Sequence, residues 1–209
     1  MDVKVDGVAG WAWTREPEHV MDALSLIDEN LRARGRAMVS VEADGRALQP
    51  EEMAAALSGK TLDNVGSLAV KSKPISVLVA ECLDELEQVL PELPQVCHRL
   101  AEVFQSDSPE SGYEPFQQLA ESWRVIKKRE LQVLKALGIE ADSLVLAGVP
   151  MLKAHEELNA FFEEAAGALQ VRDCVLLGDL LEYELAPRAE AEAEIVALLR
   201  EKAPARGEG

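Results

Sequence analysis

The side chains best able to do chemistry in this chain are carboxylates, histidines and cysteines set on or beside apolar helical stripes. Phe116, Leu119, Trp123 and Ile126 recur at three- and four-residue spacing, and that spacing predicts an apolar residue at position 130, where Glu130 stands. A carboxylate in such a stripe is paired, lies at the rim of the core, or is poised with a raised pKa for acid–base work. His155 lies between Leu152 and Leu158, and His98 follows Cys97, so both histidines flank apolar faces. A carboxylate-bridged metal site in a helical bundle takes Glu-x-x-His pairs from two helices. Here Gln95 and Leu152 stand three residues before His98 and His155, and the surviving metal-type pair, His98 with Glu102, does not make a site alone.

Other candidate chemistry fails on spacing. Ser58-Gly59-Lys60-Thr61 has the ending of a phosphate-binding loop, but Ala54 stands where its first glycine belongs, and the required strand-then-helix order is reversed. Cys82, Cys97 and Cys174 are too few and too dispersed for a disulfide framework or a zinc motif, and each falls on an apolar helix face as a small hydrophobe. No nucleophile–base pair, paired-acid site or cofactor loop emerges. The expectation is therefore no catalytic, cofactor-binding or metal residue and no cofactor, with an enzyme or metal site assembled in the helical part as the alternative.

The elements that must carry these residues change character at Lys73-Pro74. Before it, Val3 and Val5 alternate with Lys4, Asp6-Gly7 reads as a turn, and Trp11 and Trp13 lie on a second alternating run. Pro17 opens a helix with Val20, Met21, Leu24, Ile27 and Leu31 on one face, and Gly35 ends it. Met38, Val39 and Val41 form a strand that turns at residues 43–46 into a short return strand, Ala47-Leu48. A brief helix follows from Pro50 to Leu57, and a last strand spans residues 67–72. This order within residues 1–73 resembles the ubiquitin-like β-grasp fold, most of all over residues 39–48. The resemblance implies a small α+β domain and by itself no activity. Modifiers and sulfur carriers of that fold end in an exposed Gly-Gly, whereas Lys73-Pro74 runs on into a helix and the chain closes with Gly207-Glu208-Gly209, so a modifier role is not expected.

The two tryptophans depend on register. A two-residue turn pairs Val5 with Val8 and sends Trp11 and Trp13 to the face opposite Val3 and Val5. A five-residue loop over residues 6–10 brings all four into the core. Core placement is the expectation, and an outer-face patch that marks a partner or interdomain surface is the alternative.

Residues 74–202 read as helices. Val79, Cys82, Leu86, Val89, Leu93, Cys97, Leu100 and Phe104 hold one stripe, with a kink or break expected around residues 90–93 from Pro91 and Pro94. Further helices span about residues 114–137, 150–169 and 172–202, with a short turn at residues 140–143. Short connections favour antiparallel neighbours, so the expected fold class is α+β: a β-grasp-like domain followed by an antiparallel four-helix bundle, with residues 203–209 a disordered tail. Gly167 and Gly178 are expected to allow close helix contacts or to mark an end. In the densest pattern, residues 173–185, Leu177, Leu181 and Leu185 form a ridge with Tyr183 at its edge. That face is core alone, or core plus a groove for a partner helix. The segment is similar to those of uncharacterised bacterial helical proteins.

The formal charge of −17 is uneven: residues 1–73 hold 9 basic and 12 acidic side chains, and the rest hold 12 basic and 26 acidic. Such a helical half repels phosphate and anionic lipid, so neither nucleic acid nor membrane is an expected partner. No apolar run reaches a membrane span and the first residues lack a signal-peptide pattern, which places the protein in the cytoplasm as an expectation. The leading functional expectation is a non-enzymatic, protein-binding adaptor or chaperone-like module. Its acidity and helical character are similar to those of helical export chaperones, including those of the flagellar secretion system. A structural homodimer is a further alternative. The candidate partner-binding residues are Trp11, Trp13, Leu177, Leu181 and Tyr183.

Overall fold

The computed structural model describes residues 1–146 and 148–204, and most of the expected tail lies outside the described residues. The chain is α+β and divides into two compact units, Met1–Leu78 and Val79–Ala203.

The first unit holds a five-stranded mixed sheet. Its strands are β1 (Asp2–Val5), β2 (Val8–Ala9), β3 (Arg36–Ala43), β4 (Arg46–Leu48) and β5 (Ser67–Pro74), ordered β2-β1-β5-β3-β4. The β1–β5 pair is parallel and the other pairs are antiparallel. Two helices accompany the sheet, α1 (Val20–Ala33) and α2 (Pro50–Leu57). The apolar stripe of α1, Val20, Leu24, Ile27 and Leu31, shares one core with Val3, Val5, Val41, Leu68 and Val70 of the sheet. The helix starts three residues later than Pro17 predicts, because His19 caps it and the His19 N–H donates to the Asp22 carboxylate at 3.1 Å.

The turn at Asp6-Gly7 has two residues, both with positive φ (51° and 81°), and it pairs Val5 with Val8. An unbroken second strand would then turn both tryptophans away from the core. The strand instead ends at Ala9, and Gly10 adopts φ 80°, which re-aims the chain. Trp11 and Trp13 pack, half-buried, against the core of the first unit. Gly10, free to leave strand geometry, cancels the register parity.

Asp6 also locks that turn to β5. Its carboxylate accepts the Ser72 N–H at 2.7 Å and the Ser72 hydroxyl at 2.7 Å, while Arg36 donates to the Ser72 hydroxyl at 2.8 Å and to Asp6 at 3.3 Å. Burial works to raise the Asp6 pKa, but the two Ser72 bonds and the Arg36 charge outweigh it and hold the carboxyl below its ordinary 3.8. The stabilisation is present above that ordinary value and is lost as pH falls through the lowered one. Ser72→Ala is expected to destabilise the first unit by about 1 kcal/mol. It should also return the Asp6 titration, followed by NMR, toward the ordinary carboxylate range.

The second unit is helical. Helix α3 (Ile75–Val89) enters it, and α4 (Leu93–Phe104) follows a 3₁₀ turn at Leu90–Glu92, where Pro91 and Pro94 predict the break. Helix α5 (Tyr113–Leu137) ends at Gly138, whose φ of 67° makes the left-handed C-terminal turn. A small hairpin of β6 (Val145–Leu146) and β7 (Val149–Pro150), which the sequence pattern does not reveal, precedes α6 (Met151–Val171).

The last predicted helix is broken into α7 (Cys174–Leu180), a π-helical turn at Leu181–Leu185, and α8 (Ala186–Lys202). Pro187 is the physical reason: it has no N–H for the Tyr183 carbonyl four residues back, and its ring crowds that oxygen. Gly178 does allow a close helix contact, since a Cβ there would lie 3.0 Å from the Gln105 side chain and 3.4 Å from the Ala101 carbonyl on α4. Gly167 faces open space, so the close-contact expectation fails there. Arg200 on α8 ties to α3 by donating to Asp84 at 2.8 Å and to Glu87 at 3.0 Å.

Candidate functional site

Charged side chains from three helices meet inside the second unit. Lys127 and Glu130 stand three residues apart on α5 and therefore share a face, His155 comes from α6, and Glu192 comes from α8. Glu130 is fully buried and Glu192 is 3% exposed. The Lys127 Nζ donates to Glu130 Oε2 at 3.2 Å and, in close contact, to Glu192 Oε1. The His155 Nε2 lies 3.3 Å from the same Glu130 oxygen. The ammonium also sits 5.6 Å from the centroid of the Trp123 ring, which is itself 1% exposed.

The environment sets the protons of this group. Burial, reinforced by the Glu130 side chain, pushes the Glu192 carboxyl up to about 8 against the pull of Lys127. Burial and the Lys127 charge push His155 down to about 4, with Glu192 opposing. Both displacements favour the uncharged forms of His155 and Glu192. Lys127 bridges the two carboxyl groups, and the His155 Nε2 shares the Glu130 oxygen that Lys127 contacts. Among the described residues, Glu130 Oε1 and Trp123 Nε1 are buried without a hydrogen-bond partner.

Of the three readings open for Glu130, the paired one describes its surroundings. Glu192 escapes sequence reasoning because it is one of several glutamates alternating with alanine over residues 189–194. The signal that could have found it is its place in the spacing Leu185, Ala189, Glu192, Val196, Leu199, all buried. His98 does not pair with Glu102; its Nδ1 lies 2.8 Å from Glu182, and both side chains are substantially exposed. No group of three or more metal-type side chains that could hold an ion is present among the described residues. Burial pushes the Cys97 thiol up to about 12 and also raises Cys82, which leaves both as poor nucleophiles at neutral pH. Ser58 to Thr61 follow α2, with Gly59 at φ 72°, so the segment is a helix exit and not a phosphate loop.

The residues singled out for partner binding separate. Leu177 and Leu181 are fully buried, so their ridge is core and lines no open groove, whereas Tyr183 is 73% exposed. An open groove lies elsewhere, between α5 and α6. It encloses about 680 Å³ over a floor that includes Trp123, Leu131, Leu158 and Phe162. Arg124, Lys128 and Lys135 are its outer cations, and no acidic residue lines it. Arg124 is held by Glu121 at 2.6 Å, whereas Lys128 and Lys135 have no ion-pair partner among the described residues. Its α5 wall runs from Ala120 to Lys135, about 22 Å at the helical rise. Leu131 within it is exposed.

The fold and site thus define a class: an α+β chain whose helical unit encloses a buried charged centre beside an open, basic-rimmed apolar groove. The chain belongs to the family described as a domain of unknown function (DUF8042), whose model matches residues 81–194 and so contains both features. No curated protein and no solved structure matches the chain. Among the described residues, no helix is long and apolar enough to cross a membrane.

Proposed function

We propose that the protein is a non-enzymatic adaptor or chaperone-like module that binds an acidic amphipathic helix of a partner protein in the α5–α6 groove. One observation carries this reading: in a chain of net charge −17, this groove has an apolar floor, basic outer side chains and no acidic lining residue. Helix-in-groove recognition needs an apolar trough several turns long and a rim of opposite charge to set register. About 22 Å of wall accommodates roughly four turns of helix. The strand order and parallel β1–β5 pair of the first unit support its reading as a β-grasp-type domain, which would serve as a second interaction surface. The succession of long helices supports the bundle reading of the second unit.

A synthetic helical peptide with leucines at three- and four-residue spacing and glutamates along their flanks is the direct probe. Fluorescence anisotropy should show saturable binding that weakens at least tenfold in the Lys128→Glu/Lys135→Glu double variant and falls with added salt. Equal binding by a lysine-flanked version of the peptide, or unchanged affinity in the double variant, would refute the assignment. A catalytic reading has one feature in its favour, the raised pKa of Glu192 beside a cavity. It requires turnover that Glu192→Gln abolishes while leaving peptide binding intact.

A further inference from the structure

The groove is not the only opening onto the charged centre. A separate cavity of about 210 Å³ lies between α5, α6 and α8, with Val149 of β7 among its lining residues. Apolar side chains, including Trp123, Met151, Leu158 and Ile195, supply most of the lining. Its polar residues include Lys127 and Glu192 from the buried centre, and half-buried Arg188. The volume falls below the ~300–1,000 Å³ of pockets for drug-sized ligands, so an occupant must be small.

The hydrogen-bond inventory fixes the polarity of that occupant. A lysine ammonium has three donors; Lys127 spends one on Glu130 and one on Glu192, which leaves one. Arg188 has five donors, and its one ion-pair contact among the described residues, to Glu184, is a loose 3.8 Å. The Trp123 N–H is buried without a partner. The lining acid Glu157 is exposed and faces Lys153 at 3.8 Å. Glu130, whose Oε1 is an unpartnered acceptor, does not line the cavity. Spare donors in an apolar chamber call for a ligand with an acceptor-rich, anionic head and a short apolar body.

The geometry points to a binding site for a small amphiphilic monocarboxylate in the cavity between α5, α6 and α8, its head group held by Lys127 and Arg188. The carboxylate sits against the ammonium and guanidinium, and the apolar body lies along Trp123, Leu158 and Ile195. Trp123 is the one tryptophan of the second unit, so its emission reports occupancy once Trp11 and Trp13 are replaced by phenylalanine.

Octanoate and octylamine are the probes, titrated into the full chain carrying those two replacements and followed by calorimetry and Trp123 emission. Octanoate should bind saturably and alter the emission, with octylamine at least tenfold weaker. Arg188→Gln and Ala191→Phe, which sets a ring at the exposed edge of the cavity, should each weaken octanoate about tenfold, with circular dichroism confirming that both remain folded. Lys128→Glu/Lys135→Glu should leave octanoate affinity within twofold, because those residues line the groove and not the cavity. The assignment is overturned by no octanoate binding at millimolar concentration or by octylamine binding as tightly. It is equally overturned by insensitivity to Arg188→Gln and Ala191→Phe, or by loss of binding in the groove variant.

Discussion

Replacing Lys127 with methionine is expected to lower the stability of the helical unit by about 3–5 kcal/mol, measured as a shift of its urea unfolding midpoint. Methionine keeps the unbranched stem and its packing against Trp123, so the loss reports the charge. Without the ammonium, Glu130 and Glu192 remain buried together with no cation, each lacking water to solvate it. The loss should shrink as pH falls, since protonation is the way left to neutralise the charge that the pair retains. The triple variant Lys127→Met/Glu130→Gln/Glu192→Gln removes the charges as a group. It should recover most of the stability, because a buried ion pair gains little over a neutral, well-packed replacement. A Lys127→Met protein as stable as the parent would mean that the three side chains do not form one unit.

The same centre sets a pH dependence whose sign is fixed. Glu192 holds its proton up to about 8 in the folded chain, against 4.5 ordinarily, so the stability it lends is complete below about 4.5 and is lost as pH rises through 8. His155 is displaced the other way, to about 4 from 6.5, so its effect is a rise in stability as pH climbs from 4 to 6.5. The two oppose each other between 4.5 and 6.5, and above that Glu192 acts alone. Parent minus Glu192→Gln stability should therefore fall between pH 6.5 and 8. A flat difference over that window would contradict the assignment.

Leu181→Ala is expected to cost about 2–5 kcal/mol, the range for opening a cavity at a fully buried leucine. The measurement matters because the leucine ridge reads from sequence either as core or as a partner groove. A groove leucine would lose partner affinity at little cost in stability. Thermal unfolding with the midpoint unchanged would restore the groove reading and remove the core described here.

How much of this was legible in the sequence follows from the range of each interaction. The strands, the α1 stripe, the proline break before α4 and the glycine stop after α5 rest on local spacing or on backbone chemistry, and the pattern carries them. The β6–β7 hairpin has two residues per strand, too few for alternation to register. The π-helical turn was written in Pro187, but the leucines at 177, 181 and 185 keep helical spacing across it and conceal the break. Trp11 and Trp13 show the limit of register arguments, since one glycine in the left-handed region cancels parity. Within the site, Glu130 stood out because its stripe called for an apolar residue. Its partners did not, because pairing across α5, α6 and α8 joins residues 25 and 65 positions apart and leaves no local trace. The groove was hidden for a different reason. Excess acid across the whole chain masks the basic residues of α5, and the apolar floor between them forms only when α6 supplies Leu158 and Phe162.

Residue-resolved mapping of that groove is the most direct test of its role. Heteronuclear NMR spectra of the labelled chain, recorded as the glutamate-flanked peptide is added, should show shifts concentrated at Leu131, Lys135, Asn159 and Phe162. Amides of the buried ridge at Leu177 and Leu181 should stay in place. Shifts centred on Tyr183 or on Trp11 and Trp13, with the α5–α6 residues unmoved, would contradict the account.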